Sequence, residues 1–190
     1  MSGRIFLIVE AERDGRYARA IIQRHYPKVE VRYITPGRKQ GIGELAKNIE
    51  RLLIGALEAK GKRDCVAVLH DADETTTPNR NLHQAIAQAC RKHKGTVVLV
   101  LAKDEIEAWL MADSGVCAWL DRKPKNWDEA TQPSETFKSW LDKANKGPYD
   151  DDTAAQIAQR LQGDGHQHSP SLTEALRHLN GAVCVQTEDT

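Results

Sequence analysis

The sequence predicts an α/β fold: a parallel sheet of about four strands with helices on both faces, and a helical extension at the C-terminus. Three features carry this prediction. Of four short runs rich in aliphatic and β-branched residues, three are apolar at consecutive positions, as strands buried on both faces are, and one alternates. Each run is followed by a segment with apolar residues at helical spacing. Strand and helix alternate, which is the order of a sheet assembled from parallel crossover units.

Residues 4–9 (RIFLIV) form the first strand, and Tyr17, Ala18, Ile21 and Ile22 mark the helix after it. Residues 29–34 (VEVRYI) alternate and form the second strand. The loop TPGRKQGIG leads into the strongest helical stripe, Ile42, Leu45, Ile49, Leu52, Leu53, Ala56 and Leu57. Residues 65–70 (CVAVLH) form the third strand. Thr77-Pro78 opens the next helix, since proline suits a first turn where its missing N–H is not needed. Residues 96–102 (TVVLVLA) form the fourth strand, and a helix from about Asp104 carries Ile106, Trp109 and Leu110.

Residues 121–150 break the rhythm. They contain Pro124, Pro133 and Pro148 and read as an irregular excursion with a short helix around 134–144. Helices over 152–162 and 170–180 close the chain. For the last helix, Ser169-Pro170 and the capping box Ser171-x-x-Glu174 are competing starts. The expected organisation is an α/β domain over residues 1–120, with the excursion and closing helices of 121–190 packed on it.

The 27 basic and 27 acidic residues cancel, so no global field draws nucleic acid and any such contact must use a local patch. No apolar run approaches the ~20 residues that span a bilayer. The start, MSGRIFLIVE, lacks a signal-peptide cleavage site, so the expectation is a cytoplasmic protein with no membrane partner. Cys65, Cys90, Cys117 and Cys184 are widely spaced with no C-x-x-C pair, and read as small buried apolar residues rather than disulfide or metal partners.

In open parallel sheets, ligands sit outside the carboxyl ends of the strands. Three of the four strands run into acids there: Glu10 with Glu12 and Asp14; Asp71 and Asp73 with Glu74; and Asp104, Glu105 and Glu107. Two carboxylates about 4 Å apart repel by about 4 kcal/mol at an effective dielectric near 20. Such a cluster needs a cation, basic partners or raised pKa values, and an oxygen-rich site suits Mg²⁺ or Mn²⁺. An acid after a strand also serves as an ordinary helix-start residue, and Asp104 and Glu105 fit that description.

The segment Val9-Glu10-Ala11-Glu12-Arg13-Asp14 and the segment VLHDADE, with Asp71 and Asp73, match the two acidic motifs of the Toprim superfamily. The chain therefore resembles that superfamily of topoisomerases, primases and overcoming-lysogenization-defect nucleases. AKDEIEAWLMAD, Lys146…Tyr149 and the Ser-Pro-Ser-Leu stretch at 169–172 make it similar to a compact bacterial Toprim-like family. Members of that family are often encoded beside AAA-type ATPases and linked to phage defence. The resemblance implies a Mg²⁺- or Mn²⁺-dependent nuclease acting on nucleic acid, with an AAA-type ATPase as partner. It makes Glu10 a metal-binding or general-base residue, Asp71 and Asp73 metal ligands and catalytic residues, and Glu107 a ligand for a second ion. Asp14 would support the first loop. Ala11 stands where the motif has glycine, which leaves the turn after Glu10 open to change. The alternative is a non-catalytic Toprim-fold module that binds a partner or regulates an ATPase.

Other signals are weaker. DADET also fits the Asp-x-Asp-x-Thr motif of haloacid-dehalogenase-like phosphatases, although there it belongs on an early strand. His70-Asp71 reads as a strand end, and His166-x-His168 as part of a solvated loop. The glycine loop with Arg38 and Lys39, together with Lys146, provides candidate contacts to a nucleic-acid backbone. Trp127, Phe137 and Trp140 read as packing residues of the excursion.

Overall fold

Four strands, β1 (Arg4–Ile8), β2 (Glu30–Ile34), β3 (Cys65–Asp71) and β4 (Val97–Ala102), form one all-parallel sheet in the order β2-β1-β3-β4. This computed structural model describes residues 3–71, 79–103, 105–182 and 184–185. β1 and β3 occupy the centre, and their side chains are buried on both faces, which is why their sequences are continuous apolar runs.

The two faces carry separate cores. Ile5, Leu7, Ala67, Leu69 and Val100 face one side, covered by α1 (Glu12–His25) and by the helices after β4. Phe6, Ile8, Val66 and Val68 face the other, covered by α2 (Ile42–Ala59) and α3 (Arg80–Lys92). Burying each aliphatic side chain contributes about 1.5–3 kcal/mol, so these two layers hold the sheet flat against its helices. Gly15 lets α1 approach β2: a Cβ there would stand 2.5 Å from Cγ of Tyr33. Thr77-Pro78, expected to open α3, lies outside the described residues, and the helix runs from Arg80.

The single helix expected from about Asp104 is instead two short ones, α4 (Glu107–Ala112) and α5 (Ser114–Trp119). The break has a clear cause. Asp113 is buried and extended, and its carboxylate accepts N–H bonds from Gly115 and Val116 in α5 and from Gln162 and Gly163. A helical Asp113 could not serve both segments.

The later chain forms α6 (Pro133–Lys143), α7 (Asp151–Arg160), a 3₁₀ turn (Gly165–Gln167) and α8 (Pro170–Asn180). Ser169 is the N-cap of α8, its hydroxyl accepting from Leu172 N–H, with Pro170 in the first turn. Ser171 serves elsewhere, accepting from the Trp109 indole at 2.7 Å. Asp128 ties this helix start down by accepting from Ser169 Oγ and Ser171 N. Phe137, Trp140, Ile157 and Leu172 join the same core as α1 and the sheet, so the excursion and closing helices share its interior. Trp127 meets Trp140 edge to face at 5.1 Å, the packing role expected of these rings.

One cysteine expectation is corrected. Cys90 and Cys117 are free and buried, but Cys65 and Cys184 form a disulfide, with Cα atoms 5.5 Å apart. The two are 119 residues apart in sequence, and only the fold brings the start of β3 against the C-terminal segment.

Candidate metal centre

The strand order reverses between β1 and β3, since β2 lies outside β1 and β4 lies outside β3. A sheet of this kind opens a crevice at that switch point, outside the carboxyl ends. Glu10 follows β1 there and Asp71 ends β3. Across the crevice, the Asp71 N–H donates to Glu10 Oε1 at 3.1 Å. On its other side, Asp71 Oδ1 accepts from Ile106 N at 3.0 Å, which links it to the turn before α4. Ala11 has φ −139 and ψ 159, an extended conformation any residue adopts, so the turn after Glu10 does not require glycine.

Asp14 and Glu107 complete an acidic group. Asp14 Oδ2 accepts from Ala11 N at 3.2 Å, closing the first turn of α1. Glu107, the first residue of α4, is buried, and Tyr149 Oη donates to its Oε1 at 2.6 Å. Tyr149 is held by Arg13, whose guanidinium lies 4.3 Å over the ring and donates to the Tyr149 carbonyl at 3.2 Å. Tyr17 stacks on the same ring from α1.

Among the described residues, these acids are raised where the other shifted carboxyls are lowered. Burial lifts Asp71 well above the usual carboxylate range, and the charges of Asp14, Glu107, Glu10 and Glu105 add to it. Burial also pushes Asp14 up to about 7, with the Glu107 charge adding and Arg13 opposing. Glu107 is raised by burial, against the stabilising hydrogen bond from Tyr149. Burial and the charges of neighbouring carboxyls raise this group together. Carboxylate oxygens are the donor type a hard divalent cation takes.

The sequence-predicted residues divide. Glu10, Asp71 and Glu107 share the carboxyl end of the sheet, while Asp73 lies outside the described residues. Among the described residues, no group of three or more His, Cys, Asp or Glu side chains is arranged to hold a metal ion. Glu105, expected at the start of its own helix, caps a different one: its carboxylate accepts from Ser134 N and Oγ at the start of α6. Asp150 is a helix cap, accepting from Thr153 N.

The glycine loop is tied to the site. Gly41 N donates to the Glu10 carbonyl at 3.0 Å, and Gln40 Oε1 accepts from Glu12 N at 3.1 Å. Gly41 has φ +101, a conformation glycine adopts readily, and Arg38 and Lys39, earlier in the same loop, are exposed. Lys146 is different: its ammonium sits over the Trp119 ring at 5.2 Å. His166 is half-buried rather than solvated, bonding the Gly163 carbonyl and meeting His25 edge to face at 4.8 Å.

Arg13 and the place of Tyr149 are the parts sequence reasoning did not reach. Arg13 sits one residue before Asp14, a position that carries no distinctive signal. Tyr149 is 42 residues from the glutamate it bonds.

Fold and site together describe an open parallel α/β protein with a carboxylate cluster at its switch point. No protein-family model, curated protein or solved structure matches this chain. No helix among the described residues is long and apolar enough to cross a membrane.

Proposed function

We propose that the chain is a metal-dependent nuclease or related phosphodiester hydrolase of Toprim type, using Mg²⁺ or Mn²⁺. The observation that carries this reading is the meeting of Glu10 and Asp71 across the switch point, within a group of mutually raised carboxyls. Glu10, Asp71 and Asp73 would hold the ion, with Glu107 placed for a second. Such an ion, when bound, activates water and stabilises charge on phosphoryl oxygens. The chain's own residues orient the donors: the N–H of Asp71 fixes Glu10, the N–H of Ile106 fixes Asp71, and Tyr149 fixes Glu107. Exposed Arg38 and Lys39, in the loop whose Gly41 N–H bonds the Glu10 carbonyl, would supply a local basic patch for a nucleic-acid backbone. A role in a bacterial phage-defence module with an AAA-type ATPase belongs to the same proposal and rests on the motif resemblance.

The test is cleavage of DNA and RNA with Mg²⁺ or Mn²⁺, comparing the wild type with Asp71→Asn and Glu10→Gln. Loss of cleavage in both variants supports the reading, and equal cleavage by all three overturns it. A second reading is a non-catalytic module that binds a partner. It draws on the lack of a three-residue ligand group among the described residues. Failure to bind Mg²⁺ or Mn²⁺ at millimolar concentration, with nucleic acid present, favours it.

A further inference from the structure

On the opposite face of the sheet from the Asp71 carboxylate, His70 ends the buried row Val66, Val68, His70. It meets His83 of α3. The two rings stack with centroids 5.1 Å apart and planes 27° from parallel. Their Nδ1 atoms are 3.2 Å apart, and His70 Nδ1 is also 2.9 Å from the carbonyl oxygen of Asp71. His83 Nδ1 and the Asp71 carbonyl oxygen thus both crowd His70 Nδ1.

One proton cannot serve all three. If both rings carried Nδ1–H, the hydrogens would collide. If one ring does, its N–H must choose between the other nitrogen and the carbonyl. A cation satisfies all three at once. The spacings agree with that. At metal–nitrogen bonds of about 2.05 Å, neighbouring ligands are about 3.3 Å apart in a tetrahedron and about 2.9 Å apart in an octahedron. Both observed separations fall within this interval. Neither Nε2 has a hydrogen-bond partner among the described residues, so the polar contacts of the pair are those at Nδ1. His70 is 3% exposed and His83 is half-buried.

We propose that His70 Nδ1, His83 Nδ1 and the Asp71 carbonyl oxygen form a site for one transition-metal ion of the zinc type, completed by solvent. Imidazole nitrogen selects Zn²⁺, Co²⁺ or Ni²⁺ over Mg²⁺, so this site is chemically distinct from the carboxylate cluster behind it. It does not depend on the nuclease reading. Its ion would pin the end of β3 from the face opposite the Asp71 carboxylate.

The test is titration of chelator-treated full-length protein with Co²⁺, followed by visible absorption, then competition with Zn²⁺ and with Mg²⁺. The expected result, with Mg²⁺ in excess to occupy carboxylate sites, is one equivalent of Co²⁺ giving a d–d band that Zn²⁺ removes and Mg²⁺ does not. His83→Gln should weaken Co²⁺ binding by at least about tenfold. His166→Gln, altering the other close histidine pair, should leave it unchanged. Long-range ¹H–¹⁵N spectra of the wild type supply a readout that needs no variant: on Zn²⁺ addition, Nδ1 of two histidines should shift. A Co²⁺ spectrum without d–d intensity, unaltered Nδ1 resonances, or undiminished affinity in folded His83→Gln would each overturn the proposal. The pair would then be a simple Nδ1–H···Nδ1 contact.

Discussion

The two ends of β3 are built on opposite principles. At its start, Asp64 is buried and fully answered: it accepts from Arg4 N, Arg4 Nε, the Arg4 guanidinium NH₂ at 2.7 Å and Gly61 N at 2.8 Å. The hydrogen bond from the Arg4 side chain holds its carboxyl down at about 2. Its neighbour Cys65 is bonded to Cys184. At the other end, Asp71 sits among Asp14, Glu107 and Glu10, and burial and these charges all raise it. One aspartate is placed for stability, the other against it. A strand end that keeps an electrostatic cost is where a ligand is expected to relieve that cost.

This contrast can be broken from the stable end first. Cys184→Ala should have the largest effect. Opening a loop of 119 residues removes about 4–5 kcal/mol in the chain-entropy model, read from denaturant unfolding with and without reductant. If reductant does not alter wild-type stability, the cross-link contributes nothing at this end. Asp64→Ala comes next, at about 2–3 kcal/mol, because it strands backbone donors and a guanidinium near the surface. A change within experimental error would place Asp64 among ordinary surface acids.

The other end should respond with the reverse sign. Asn at position 71 still accepts from Ile106 N–H but removes the charge. Asp71→Asn should therefore raise metal-free stability by about 1 kcal/mol at pH 8, seen as a higher melting temperature. A marked loss of stability would show that the cluster is already neutralised. The pH dependence sharpens the comparison. Asp14, raised from 3.8 to about 7, contributes stability that is complete below pH 3.8 and lost as pH rises through about 7. Asp64, lowered from 3.8 to about 2, contributes above 3.8 and is lost as pH falls through about 2. Asp14→Asn should flatten the metal-free stability profile between pH 4 and 7 and leave its acid limb intact. Smallest is Tyr149→Phe, about 1 kcal/mol, since it leaves the Glu107 oxygen without its donor while keeping the ring over Arg13.

Much of this was legible in the residues, for physical reasons. Strands buried on both faces must be apolar throughout, so Ile5–Ile8 and Val66–Leu69 announce a covered parallel sheet. Acids at the ends of such strands announce a site, because the topology brings those ends together. What stayed hidden depends on distant chain segments. Asp113 breaks a helix because Gly163, 50 residues later, needs its carboxylate. Cys65 reads as a small apolar residue until Cys184 is beside it. Glu105 looks like the start of its own helix, yet it caps α6, whose N-cap Gln132 has φ +54 and offers no side-chain cap. Glu107 looks like a first-turn acid, and only Tyr149 and Arg13 reveal that it belongs to a buried cluster.

The most direct test of the central claim is Mn²⁺ binding by the metal-free full chain at pH 7.5, measured by electron paramagnetic resonance, in wild type and Asp71→Asn. The carboxylate cluster predicts saturable binding in the wild type, with a rise in stability of about 2.7 kcal/mol at a hundredfold excess over Kd. It predicts that binding weakens at least about tenfold in Asp71→Asn, the equivalent of about 1.4 kcal/mol. Equal Mn²⁺ affinity in the two proteins, or none in either at millimolar metal, would contradict it.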